Sequence, residues 1–166
     1  EGKLYVFVAQ GQNPGALGCY VAPVDAPGDA FQPCEHNPLI VGANEYGPLA
    51  EKGPATNAYF DFRTISSADV QKLGAGDAAR YYVLYEGVRG PGPGDPGDTQ
   101  FGLGLARSLT DRIDGPWEKF PGNPILVDLP GNIGVGHGDV VVIDGETYLY
   151  TSLDGIQRSR LRLVWQ

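Results

Sequence analysis

The chain has 166 residues, with 12 Lys and Arg against 20 Asp and Glu, for a formal net charge of −8. That length can enclose one sizeable core. The charge balance removes the basic footprint that nucleic acid or an anionic membrane surface needs, and no apolar run approaches the roughly 18–20 residues of a membrane-spanning helix. The 25 Gly and 14 Pro separate short runs of Tyr, Val, Phe and Ile, the composition of many short strands joined by tight turns.

Taken in chain order, with strand A innermost and D outermost in a four-stranded unit, Leu4–Gln10 reads as a B strand, Leu17–Val24 as C and Ala30–Cys34 as a short D. Asn37–Ile40 (NPLI) leads onward. Tyr59–Ile65 (YFDFRTI) alternates apolar and polar residues and is expected to be an A strand. Ser66–Ala79 is expected to be a loop or short helix, because SSADVQKL places Ser ahead of an acidic residue, a helix-start signal. Arg80–Glu86 then reads as B, Phe101–Ser108 as C and Trp117–Phe120 as D. Gly87–Thr99 is Gly/Pro-rich and reads as a surface loop. Asp139–Ile143 reads as an A strand, turned by Asp144-Gly145, a strong hairpin signal. Thr147–Ser152 and Ser159–Trp165 follow as B and C.

The chain therefore repeats itself. YYVLYEG (Tyr81–Gly87), FGLGLARS and GPWEKFPGNPIL (Gly115–Leu126) have a looser copy in LYVFVAQG, LGCYVAP and AFQPCEHNPLI, and a third begins at TYLYTS (Thr147–Ser152). Recurrence at this spacing is the signature of propeller blades. The expected fold is all-β: about two and a half antiparallel four-stranded blades of a partial five-bladed β-propeller, a single segment with blade parts at about 1–40, 55–126 and 136–166. Met is absent and Glu1 opens directly into a strand pattern, as expected of a processed or incompletely represented polypeptide. An incomplete ring exposes blade faces and edges, so another chain or an identical copy is expected to complete it. Cys19 and Cys34 fall on neighbouring strands, where a bridge and two buried thiols are both open. No Cys/His metal spacing occurs.

The sentence YYVLYEG…GLGLARS…GPWEKFPGNPIL resembles the blades of the five-bladed β-propeller glycoside hydrolases, family 43 and its relatives in families 32, 62, 117 and 130. GHGDVVVIDGETYLYTS (Gly136–Ser152) is similar to that group's innermost-strand motif. The resemblance implies a glycosidase cleaving an oligo- or polysaccharide, or, in the alternative, a non-catalytic carbohydrate-binding or scaffold propeller, since fold alone does not give activity. Glycoside cleavage needs two facing carboxyl groups, roughly 5 Å apart for retention and 6.5–9.5 Å for inversion. In a propeller they can meet only at the channel mouth.

Four carboxylates are candidates. Asp139 opens an A strand where the family places a functional Asp. Glu51, in EKGPATNAYF, is similar to the family's Glu-Gly-Pro acid element, with Lys52 inserted. Asp61 lies between Phe60 and Phe62, where a carboxylate is costly unless paired; Arg63, two residues on, is its expected partner. Glu86 ends a B strand whose other copies carry Ala9 and Thr151 or Ser152, so the blade itself does not require a carboxylate there. Arg63, Arg89 and His137 are the candidate substrate-binding residues. No cofactor is required. The resemblance gives His137 a metal-contacting role, with Ca²⁺ favoured over Zn²⁺ because further His or Cys ligands are lacking.

Overall fold

The computed structural model describes residues 2–12, 14–26, 28, 31–42, 60–89, 100–127, 134–153 and 157–163. Among these residues there are three antiparallel sheets. The first contains β1 (Lys3–Gln10), β2 (Ala16–Pro23), β3 (Gln32–Pro33) and β4 (Ile40–Val41), with β3 and β4 both paired to β2. The second contains β5 (Thr64–Leu73), β6 (Arg80–Arg89), β7 (Gln100–Ser108), β8 (Trp117–Lys119) and β9 (Leu126–Val127), with β8 and β9 both paired to β7. The third runs β10 (Val135–Ile143), β11 (Glu146–Leu153) and β12 (Gln157–Leu163). These are consecutive blades of a propeller, as the repeated sentence predicts.

Register shows how closely the blades repeat. The first two use an Asn-Pro corner to fold the chain back onto the C strand. The Asn37 Oδ1 accepts the Cys19 amide at 2.9 Å, and the Asn123 Oδ1 accepts the Leu105 amide at 2.9 Å. Two residues on, the Leu39 amide donates to the Leu17 carbonyl and the Ile125 amide to the Leu103 carbonyl. Leu17 and Leu103 are thus equivalent. Ala9 pairs with Leu17 and Glu86 with Leu103, which makes Ala9 and Glu86 equivalent as well.

The second and third blades share a different device. The inner strand bulges between Ser66 and Asp69 in one and between Gly136 and Asp139 in the other. Each bulge holds a non-glycine residue in the left-handed region, Ser67 at φ 44° and His137 at φ 51°. Such residues are uncommon outside glycine. Ser66 pairs with Glu86 just before the first bulge, and Gly136 with Ser152 just before the second, so Ser152 is the third-blade counterpart of Glu86.

One expectation on the inner strands is corrected. The second blade's A strand is Thr64–Leu73, which shares Thr64 and Ile65 with the expected Tyr59–Ile65 and takes in Ser66–Leu73 of the Ser66–Ala79 stretch expected to be a loop or short helix, where only Gly76–Ala78 is helical; Phe60–Arg63 form a turn and bend. Ser66 and Asp69, which mimic a helix start, are bulge residues. Pairing with β6 along eight register positions outweighs the local capping signal, because β6 offers a ladder that an isolated helical turn cannot match. The Asp144-Gly145 hairpin is as expected, with positive φ at both residues. Cys19 and Cys34 form a disulfide with Cα atoms 5.4 Å apart.

The blades stack through two apolar layers. Leu17 and Ile40 of the first blade meet Ile65, Val83, Tyr85 and Ala106 of the second, with Phe60 between. A Cβ on either Gly87 or Gly104 would lie 2.4 Å from a Phe60 ring atom, so the absence of side chains there lets the ring lie flat on the sheet. Leu84 and Leu103 of the second blade meet Val135 and Leu149 of the third. Since successive strand residues face opposite ways, Tyr85 faces the first blade while Leu84 and Glu86 face the third.

Candidate functional site

Asp61 is 1% exposed. Its Oδ2 accepts from the Tyr85 hydroxyl at 2.9 Å and pairs with the Lys119 ammonium at 2.9 Å. Asn123 Nδ2 in turn donates to the Tyr85 oxygen at 3.1 Å. Burial, reinforced by the adjacent Asp61 charge, pushes the Tyr85 hydroxyl far above its ordinary range, so it stays protonated and donates. Sequence reasoning named Arg63 as the partner and had no signal for Lys119, which arrives from the outermost strand 58 residues away. Arg63 uses its backbone amide to bond the Val88 carbonyl at 2.9 Å.

Glu86 is also buried, at 4%, but on the other face of β6. The Ser66 hydroxyl donates to its Oε1 at 2.7 Å, and the His137 amide donates to its Oε2 at 2.8 Å. One carboxylate therefore ties the two bulges together, one oxygen to each. Gly136 makes room for this, since a Cβ there would sit 2.1 Å from Oε2. The bulge is pinned a second time by Asp69, whose Oδ2 accepts the Val140 amide. The sequence marks neither Ser66 nor Asp69 as a partner, because the first contact depends on the register of β5 on β6 and the second crosses between blades.

The clamp sets His137 in its strained conformation with the ring outward. Its side chain is 68% exposed, and Nδ1 lies 3.6 Å from Glu86 Oε2, too long for a hydrogen bond. His137 and Asp139 line a groove on the third blade with Val141, Tyr150, Thr151, Arg158 and Ser159. Asp139 is exposed and pairs in register with Tyr150. Arg158 Nη1 donates to the Ser152 hydroxyl at 2.8 Å, and the Thr151 hydroxyl donates to the Gly136 carbonyl at 2.7 Å, which fixes the groove floor.

The predicted carboxylates are thus distributed as follows. Asp61 sits between the first and second blades, Glu86 between the second and third, and Asp139 opens into the groove beyond β10. Asp61 and Glu86 face opposite sides of one sheet. Arg89 closes β6 opposite Gln100. Glu51, and the part of the Gly87–Thr99 loop beyond Arg89, lie outside the described residues. Among the described residues no three His, Cys, Asp or Glu side chains gather as a metal site. Ca²⁺ takes 6–8 oxygen ligands, and His137 with Asp139 does not supply such a set.

Stacked antiparallel blades with a polar, aromatic-lined groove at an inner strand define an all-β protein of the propeller class. No family model and no curated protein matches the chain. Among solved structures it is similar to an α-L-arabinanase of Cellvibrio cellulosa, at 16% identity and TM-score 0.40, covering 100% of this chain and 71% of that one. The same enzyme complexed with arabinohexaose aligns at 17% identity and TM-score 0.39, with the same coverage of each chain.

Proposed function

We propose that the chain binds carbohydrate in the groove of the third blade, as part of a glycoside hydrolase-like propeller. The observation that carries this reading is the groove itself. An aromatic ring (Tyr150), a carboxylate (Asp139), an imidazole (His137), a guanidinium (Arg158) and a hydroxyl (Ser159) share one concave surface. A sugar ring offers a C–H face that stacks on an aromatic and a rim of hydroxyls that need both donors and acceptors. The acidic balance of the chain suits a neutral polyol better than an anionic polymer. The test is calorimetric titration with linear hexasaccharides, arabinohexaose among them. Saturable binding is expected, weakened at least tenfold by Tyr150→Ala and by Asp139→Ala. Heats indistinguishable from buffer across the panel would refute the reading.

Cleavage is the second reading, favoured by one observation. Asp139 is an exposed carboxylate on a β-bulge, set beside His137, and the Glu86 carboxylate lies buried beneath the same bulge. Both Glu86 oxygens already accept hydrogen bonds, so Glu86 acts as a positioning residue and Asp139 needs a second carboxylate from Glu51 or another chain. Release of reducing ends by the wild-type chain, abolished in Asp139→Asn, is the result that supports hydrolysis. Binding without release assigns the groove to recognition alone.

A further inference from the structure

Of the two blade junctions among the described residues, only that between the second and third carries the Glu86 clamp. The first blade meets the second with Ala9 in the equivalent place, so stacking itself does not need a carboxylate there, and burying one costs free energy. The clamped junction is also the one whose two bulges hold Ser67 and His137 at positive φ. A buried charge and two matched strained residues at one place point to a use beyond packing.

The two Glu86 oxygens have different tasks. Oε1 accepts from the Ser66 hydroxyl of its own sheet at 2.7 Å, which anchors the carboxylate and turns Oε2 toward the third blade. There Oε2 accepts the His137 amide at 2.8 Å and lies 3.6 Å from the His137 ring at Nδ1. That distance is too long for a hydrogen bond, but a buried charge is poorly screened and still acts on the ring. A carboxylate oxygen beside Nδ1 favours the neutral tautomer with its proton on Nδ1, and disfavours the one that turns a lone pair toward it. Nε2, on the far edge of a side chain that is 68% exposed, then carries the ring's lone pair at the wall of the sugar groove.

We propose that Glu86 is a positioning residue that holds His137 with its proton on Nδ1, so that Nε2 accepts a hydrogen bond from a sugar hydroxyl. The inference rests on the reading of the third-blade groove as a carbohydrate site, and it gives that site a neutral acceptor beside the charged one, Asp139. Arg158, in the same groove, can only donate. An acceptor at Nε2 and a donor at Arg158 serve the two halves of sugar recognition, since each sugar hydroxyl has a proton to give and lone pairs to share. Ser66 belongs to the same device one step further back. Without its hydroxyl, Oε1 is left buried and unpaired, and the carboxylate loses the contact that aims Oε2 at His137.

The chain has two histidines, and the other one is an internal standard. His36 Nδ1 lies 3.2 Å from the Asp114 carbonyl oxygen, which can only accept, so His36 carries its proton on Nδ1. Nitrogen-15 NMR of the labelled whole chain at about pH 9, above the ordinary histidine range, reads the tautomer of each ring, and His36→Gln identifies the signals of His137. The expected spectrum shows His137 protonated on Nδ1 like His36. In Glu86→Gln and in Ser66→Ala it moves toward the Nε2-protonated form. The His36 signals stay in place, which reports that the contact between the first two blades survives. A purely structural Glu86 would change the melting temperature and leave this signature alone. A His137 protonated on Nε2 in the wild-type chain, or a tautomer indifferent to Glu86→Gln, overturns the proposal. In titrations with arabinohexaose, Glu86→Gln is expected to weaken binding about fivefold, the worth of one neutral hydrogen bond, and unchanged affinity overturns the acceptor role. Sugar binding with the wrong tautomer defeats this inference alone, whereas the expected tautomer without any sugar binding defeats the groove reading and the acceptor role with it.

Discussion

At the scale of single residues, the buried charges decide most. Taking the Asp61 carboxylate out of water costs several kcal/mol, offset by Lys119, by Tyr85 and through Tyr85 by Asn123. Lys119→Met is expected to destabilise the fold by about 2–3 kcal/mol, less than the 3–5 typical of a fully buried pair because the ammonium is 32% exposed. Denaturant unfolding of Lys119→Met, Asp61→Asn and the double variant checks this. The double variant should lose clearly less than the sum of the singles, and strict additivity would mean that the two groups do not interact.

Asp114 gives a pH dependence. Hydrogen bonding and charge attraction from Arg112 hold its carboxyl below the ordinary 3.8, against the opposing effect of burial. A depressed folded-state pKa contributes stability above the unfolded value and loses it as pH falls through the folded value. This contribution is therefore complete at neutral pH and disappears as pH falls below about 4. Arg112→Ala is expected to move the midpoint of acid unfolding upward in pH while changing the midpoint of base unfolding little. Coincident acid profiles would contradict the assignment.

At the scale of elements, the sequence made some features readable and hid others. Strands β1, β2, β6, β7 and β11 were legible because each combines β-branched or aromatic residues with flanking Gly, Pro or Asp-Gly turns, and β12 because Arg alternates with Leu along it. The Asn-Pro corners were legible as recurrence. The inner strand β5 was not, because its bulge puts Ser, Ser, Ala and Asp at the center of a strand, a composition that locally favours a helix start. Glu86 was picked out by its mismatch with Ala9, and the structure gives the reason: this carboxylate holds the bulges of two blades, a contact that spans 51 residues. Asp61's partners were hidden for the same reason of distance.

Two substitutions probe these elements. Gly136→Ala would drive a methyl into Glu86 Oε2 and is expected to cost about 1–3 kcal/mol, with part of the loss recovered in a Gly136→Ala/Glu86→Ala double variant. Asn123→Ala is expected to cost more than Asn37→Ala. Each loses a backbone-capping bond worth about 1 kcal/mol, but Asn123 also donates to Tyr85 and to the Leu105 carbonyl. Thermal melts of the two variants rank them, and the reverse order would sink the argument.

At the scale of the molecule, the first blade closes its C-to-D connection covalently and the second does not. The Cys34 amide donates to the Cys19 carbonyl, as the Phe120 amide does to the Leu105 carbonyl. The disulfide reinforces a corner that the second blade makes with Phe120. With the cysteines 15 positions apart in sequence, reduction is expected to cost about 3 kcal/mol, read as a lowered melting temperature in dithiothreitol. Among the described residues, apolar side chains are exposed on both outer sheets away from the groove, Leu4 and Val6 on one and Ile143 on the other. Such surface favours association. Light scattering across a concentration series should show a mass above that of one chain.

The most direct measurement of the central claim is the titration of the third-blade groove with linear hexasaccharides. The account predicts saturable binding that falls at least tenfold in Tyr150→Ala and Asp139→Ala while Asp61→Asn, on the opposite side of the second blade, leaves the affinity of the folded fraction unchanged. Absence of binding, or binding that follows Asp61 and ignores Tyr150 and Asp139, would contradict it.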